Sequence, residues 1–216
     1  MVRSQVRFSV HARRALLAAA LLVLAVPALA ARTVMVFGDS LSAAYGLSSD
    51  EGWVSLLARR LAKAHPSWKV ANASVSGETT AGGLARLPAD LARHHPAIVV
   101  IELGANDALR GQPVAAIRAN LERMVRIVRQ ARAEPVLVGI MIPPNYGIDY
   151  AREFRSLYPA LARKDDVPIV PFLLAGVVEH TELFQADQLH PTAAAQPRIL
   201  DNVWAVLEPL FAKKAP

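Results

Sequence analysis

From Thr33 onward the sequence alternates short, almost wholly apolar runs with longer amphipathic stretches, and this alternation is its strongest constraint on fold. Thr33–Phe37 (TVMVF), Lys69–Ala73 (KVANA), Ala97–Leu103 (AIVVIEL), Pro135–Ile142 (PVLVGIMI) and Pro168–Val170 (PIV) read as strands. Several are apolar at nearly every position, the pattern of parallel strands covered on both faces. Helical patterns fill the intervals at Gly52–Ala64, Ala81–Arg93, Val114–Arg132, Tyr150–Arg163 and Thr192–Ala212. In the third, Val114, Ile117, Leu121, Val125 and Val128 recur three or four apart and make one buried stripe. Strand–helix alternation with right-handed crossovers predicts a parallel sheet with helices on both sides. The 216 residues suffice for one domain with its own core, and no repeat, linker or composition shift follows residue 31.

The net charge of +6 invites a nucleic-acid reading, but its distribution argues against one. Arg3, Arg7, Arg13 and Arg14 lie in the first 30 residues, which hold no acidic residue. Without them 20 basic residues face 18 acidic ones, a net charge of +2, so the body offers little electrostatic case for DNA or RNA. Those arginines precede an apolar run, Ala15–Val26, then Pro27 and Ala28-Leu29-Ala30. Basic, apolar and small regions in that order are the pattern of a secretory signal peptide. The run is too short to span a bilayer as a helix. Residues 1–30 are therefore expected to be a signal peptide, and residues 31–216 the exported domain, periplasmic or secreted. There are no cysteines, which removes disulfides and thiolate metal sites.

In sheets of this kind ligands bind outside the carboxyl ends of the strands, and the chemistry-bearing residues follow those ends. After the first strand stands Gly38-Asp39-Ser40-Leu41-Ser42, where Ser40 either presents its hydroxyl at the rim or, with Asp39, caps a helix. The segment lacks the G-x-S-x-G elbow of the α/β-hydrolases. After the second strand comes Ser74-Val75-Ser76-Gly77-Glu78, in which Gly77 is either an ordinary turn glycine or a backbone N–H donor to an oxyanion. After the third comes Gly104-Ala105-Asn106-Asp107. The Asn106 amide can donate to the same oxyanion, and Asp107 is expected to hold its loop through backbone bonds. Near the C-terminus lies Asp187-Gln188-Leu189-His190-Pro191. A serine hydroxyl needs a base to take its proton, and an acid must hold the imidazole; one short loop supplies both. His65, His94, His95 and His180 sit at helix ends or in a polar connection.

Together these blocks resemble the SGNH (GDSL) hydrolases, especially their small exported bacterial members with thioesterase, lysophospholipase and arylesterase activity. The matching runs through GDSLSAAYG, SVSGETTAGG, LGANDALRG, PPNYG and HPTAAAQP, from Val34 to Pro209. The resemblance implies a flavodoxin-like three-layer α/β/α sandwich on a five-stranded parallel sheet. It implies a catalytic triad of Ser40, Asp187 and His190, and an oxyanion hole from Ser40, Gly77 and Asn106. Ala105 stands where a second glycine is common, and the segment Leu109–Pro113 lacks a bulky residue often found there, beside the acyl site of the relatives. The expected substrates are small acyl esters or thioesters, lysophospholipids included. No metal, no cofactor, no nucleic-acid partner and no stable membrane anchor after cleavage are expected, and a monomer is the default. Two alternatives stay open: a carbohydrate O-acetylesterase, and a non-catalytic lipid-binding module of the envelope.

Overall fold

The computed structural model of the protein describes residues 32–213, so the segment read as a signal peptide lies outside the described residues. The strands are β1 (Arg32–Gly38), β2 (Trp68–Asn72), β3 (Ile98–Glu102), β4 (Glu134–Val138) and β5 (Ile169–Val170). The helices are α1 (Trp53–Ala64), α2 (Thr80–His94), α3 (Ala105–Leu109), α4 (Val114–Gln130), α5 (Ile148–Asp165) and α6 (Gln196–Lys213). All strand pairings are parallel, in the order β2-β1-β3-β4-β5. This is the expected α/β/α sandwich.

The apolar strands are apolar because they bury both faces. Successive side chains of a strand point to opposite sides. Met35, Phe37, Val99, Ile101 and Leu137 join one core with Leu87 of α2, Leu121 and Val125 of α4 and Phe154 and Leu157 of α5. Val34, Val36, Ile98, Val100, Val136 and Val138 join the other with Leu57 and Leu61 of α1 and Val203 and Leu207 of α6. The stripe expected on residues 114–132 is the buried face of α4, with Met124 added.

The structure departs from the sequence reading in two places. The apolar run at Pro135–Ile142 leaves the ladder after Val138, where Gly139 packs so tightly on Pro171 that a β-carbon would strike its backbone. Ile140 and Ile142 remain buried but are no longer strand residues. The second departure is α3, a five-residue helix that was not foreseen. It begins beyond Gly104, whose φ of 125° suits glycine and whose missing side chain makes room for the Tyr158 hydroxyl. That hydroxyl donates to the Leu103 carbonyl at 3.0 Å and so fixes the end of β3.

Ile101, fully buried in the central strand, tests this architecture. Ile101→Ala is expected to lower unfolding free energy by about 2–5 kcal/mol with an unchanged urea m-value. A loss below about 1 kcal/mol would contradict tight packing at the sheet centre.

Candidate active site

Chain order along the sheet reverses between β1 and β3, since β2 lies on one side of β1 and β3 to β5 on the other. The crevice at such a switch point is where open α/β sheets bind ligands. Ser40 follows β1 and Asn106 follows β3, so this crevice receives one chemical group from each side. Beyond β1 the chain coils tightly: the Asp39 carbonyl accepts from the Ala43 N–H at 2.9 Å, and Asp39 Oδ1 accepts from the Leu41 N–H at 3.0 Å. Asp39 thus caps the turn. Ser40 does not. Its Oγ lies 2.8 Å from His190 Nε2, across 150 residues of sequence.

His190 Nδ1 lies 2.7 Å from Asp187 Oδ2. Asp187 Oδ1 also accepts from the N–H groups of Leu189 and His190, at 2.9 and 3.0 Å. The His190 N–H, then the imidazole, then the Leu189 N–H stabilise the carboxylate, and they hold the Asp187 pKa down at about 2. Gln188, at φ 56°, makes the turn that folds His190 back over Asp187. An antiparallel bridge between Phe184 and Pro191 closes the base of this loop. Gln185 fastens it to the serine turn: its Nε2 donates to the carbonyls of Tyr45 (2.8 Å) and Pro191 (3.1 Å). The Tyr45 ring packs on the His190 ring with centroids 4.4 Å apart.

Gly77 stands on the neighbouring part of the rim. Its turn is tied to β1 by the Val75 N–H on the Gly38 carbonyl (3.0 Å) and by the Gly38 N–H on Ser74 Oγ (3.1 Å). Gly77 has φ 79° and open space where a β-carbon would sit. The N–H groups of Ser40 and Gly77 have no hydrogen-bond partner among the described residues. Asp107, expected to brace its own loop, reaches further. Its carboxylate accepts from the Thr80 N–H (2.8 Å) and hydroxyl (2.6 Å), joining the start of α2 to α3. Arg86 adds a second brace, bonding Glu78, Asp90 and the Ala73 carbonyl. Gly77 and Asn106 are thereby set by the same packed framework.

Beneath Ser40 lie two buried carboxyl groups. Glu102, the lone charged residue of β3, accepts from the Ser42 hydroxyl at 2.7 Å and the Asp39 N–H at 3.2 Å, both on Oε2. Its Oε1 is buried without a partner among the described residues. Burial, and then the nearby Asp39 charge, push the Glu102 pKa well above its ordinary value. Asp39 is only 1% exposed. Burial pushes its pKa up to about 6, opposed by the Leu41 N–H, by His190 and by the Asn106 amide.

A cleft opens at Ser40, and a second, apolar cavity adjoins it. The cleft, of about 210 Å³, is lined by Ser40, Asn106 and His190 together with Leu41, Leu109 and Ile140. It shares Met141, Ile142, Pro143, Leu174 and Leu189 with a second cavity of about 430 Å³, which Phe172, Val178 and Phe184 also line. Met141 and Ile142, from the apolar run that continues beyond β4, are therefore part of the wall between the two, while Ile140 lines the cleft alone.

A family model of GDSL-like lipases and acylhydrolases matches residues 36–197. The chain belongs to this family. The GDSL hydrolase is 50% identical over 190 residues to esterase TesA of Pseudomonas aeruginosa, covering 88% of this chain and 94% of that protein. It is 42% identical over 194 residues to thioesterase 1/protease 1/lysophospholipase L1 of Escherichia coli K12, covering 88% and 90%. A crystal structure of TesA superimposes with a TM-score of 0.80 at 51% identity, over 83% of this chain and 99% of that one.

Sequence reasoning about this GDSL hydrolase missed Glu102, Gln185 and Tyr45. For Glu102 a signal existed, one carboxyl in an otherwise apolar run; for the other two there was none, because their partners lie on separate loops. Glu102 yields a pH-dependent test. In the folded protein burial makes this carboxyl keep its proton to higher pH than in the unfolded chain, which releases it above the ordinary value of 4.5. Stability is thus fully present below that pH and is lost as pH rises toward the folded value. The Tm of Glu102→Gln relative to the parent is therefore expected to climb as pH is raised from 5 to 9. A difference that stays flat across this range would mean that Glu102 is ionised in the folded protein as well.

Proposed function

We propose that this chain is an exported serine esterase that hydrolyses carboxylic esters and thioesters through an acyl-enzyme on Ser40. The observation that carries the reading is the line of short contacts from Ser40 Oγ to His190 and on to Asp187, opening onto an apolar cavity. His190 takes the Ser40 proton as Oγ attacks the carbonyl carbon. Asp187 holds the imidazole and stabilises the imidazolium. The tetrahedral oxyanion is received by the Ser40 and Gly77 N–H groups and the Asn106 amide, and loss of one such donor lowers kcat by about 10²–10³-fold. His190 then protonates the leaving group, and water releases the acyl group by the reverse proton route.

The walls of the cavity favour acyl thioesters, lysophospholipids and aryl esters over acetylated glycans. A glycan needs polar partners along its length, while Leu41, Leu109, Ile140, Ile142, Leu174 and Leu189 offer an acyl chain apolar contact. A non-catalytic lipid-binding role would leave the arrangement of Ser40, His190 and Asp187 without a purpose. Export to the periplasm or medium rests on the order of basic, apolar and small residues within 1–30. No helix among the described residues is long and apolar enough to cross a membrane, and a monomer acting on small-molecule substrates is the simplest form.

Hydrolysis of p-nitrophenyl esters from acetyl to palmitoyl tests the proposal. Ser40→Ala is expected to abolish turnover, with an optimum in the parent beyond acetyl. An acetyl-only profile would favour the acetylesterase, and equal signals from both proteins would sink the catalytic reading. Asp187→Asn is expected to lower kcat by roughly 10⁴-fold with little change in fold. With its pKa near 2, Asp187 does not set the acid limb of the parent's pH–rate profile; a limb that disappeared in Asp187→Asn would contradict this assignment.

A further inference from the structure

Asp39 takes no part in the proton route above, yet it is the more deeply buried of the two carboxylates next to the Ser40–His190 pair. Its two oxygens are used differently. Oδ1 holds the Leu41 N–H, and Oδ2 accepts from Asn106 Nδ2 at 3.0 Å across 67 residues of sequence. Asn106 lines the same cleft as Ser40 and His190.

The amide of an asparagine is nearly symmetric in shape, and a half-turn about its last bond exchanges a donor for an acceptor. An amide that presented its oxygen to the cleft would repel an oxyanion. A carboxylate can only accept, so it selects the nitrogen for its own side and fixes the plane of the group. One Nδ2 hydrogen is used on Asp39, and the second stays available. The carboxylate is itself held from behind, since the Asp39 N–H donates to Glu102 Oε2. Burial and the nearby Asp39 charge push Glu102 toward its neutral form, while Asp39, the member that faces Asn106, is the one whose charge the Leu41 N–H, His190 and the Asn106 amide favour.

We propose that Asp39 is a positioning residue whose carboxylate locks the Asn106 amide with an N–H, not its carbonyl oxygen, turned toward the substrate oxyanion. This rests on the reading of Ser40 as nucleophile and Asn106 as oxyanion donor. Asp39 is in this view coupled to catalysis through Asn106, beyond capping the serine turn.

A double-mutant cycle in kcat and KM separates these roles, because coupling between two side chains appears as non-additivity. The parent, Asp39→Asn, Asn106→Ala and the double variant are compared on p-nitrophenyl butyrate at pH 8, with folding checked by circular dichroism. Asp39→Asn is expected to lower kcat by about 10²-fold, within the range for loss of one oxyanion donor, at nearly constant KM. In the Asn106→Ala background the same change is expected to lower kcat by less than about twofold, within the error of such cycles. Additive losses, or an Asp39→Asn variant with parental kcat, would overturn the proposal. If Asp39→Asn does not fold, the parent alone decides by ¹⁵N NMR. A downfield-shifted Asn106 Nδ2 proton with slow solvent exchange supports the bond to Asp39, and Nδ2 protons that exchange with solvent as fast as those of an exposed asparagine overturn it. Ser40→Ala distinguishes the underlying reading: retained turnover overturns both, whereas lost turnover with an additive cycle overturns only the role of Asp39.

Discussion

The parallel pairing of β1 with β3 brings Gly38 opposite Glu102, and the rest of the active-site geometry depends on that register. Because Gly38 has no side chain, the Glu102 carboxyl can reach beneath the turn that follows β1, where it holds the Asp39 N–H and the Ser42 hydroxyl. Moving either strand by one residue would turn Glu102 to the other face and leave the serine turn unsupported. The same pairing places the end of β3 beside Ser40, so α3 delivers Asn106 to the crevice in which Ser40 stands.

The buried carboxyls show how such a site tolerates polar groups in a dense core. A carboxylate taken out of water is costly unless it is paired or neutralised, and here the two fates are divided. Glu102 is pushed toward the neutral form by burial and by Asp39, while Asp39 keeps more of its charge because the Leu41 N–H, His190 and the Asn106 amide favour it. Asp187 is the contrast. It sits at the surface, with 38% of its side chain exposed, and three hydrogen bonds rather than desolvation set its acidity. Two aspartates of one site are thus shifted in opposite directions, for reasons visible in their surroundings.

Cavity shape follows from a break in the sheet. Had β4 continued to Ile142, its last residues would have been covered like the others. The strand ends at Val138 instead, and Ile140, Met141 and Ile142 wall the space beside Ser40. Family membership covers the chemistry common to GDSL-like lipases and acylhydrolases, and the walls of this cavity bear on which acyl groups fit.

The five strands, the five long helices and the four chemistry-bearing loops are all legible in the sequence. Each is encoded locally, by a run of Val, Ile and Leu, by a three-to-four-residue stripe, or by a short block such as Gly38-Asp39-Ser40 or Asp187–His190. Local patterns also brought together Asp187 and His190, three residues apart in one loop. What they could not supply is distance between blocks. The 2.8 Å contact of Ser40 with His190, the reach of Asp107 to Thr80 and that of Glu102 to Ser42 all depend on which strands lie side by side. Pairing order is a collective property of two packed cores, because each strand buries both faces against helices distant in sequence. Sequence by itself determined the layers and the reactive groups; only the tertiary structure decided which groups meet, how deeply each carboxyl is buried, and where the apolar cavity opens.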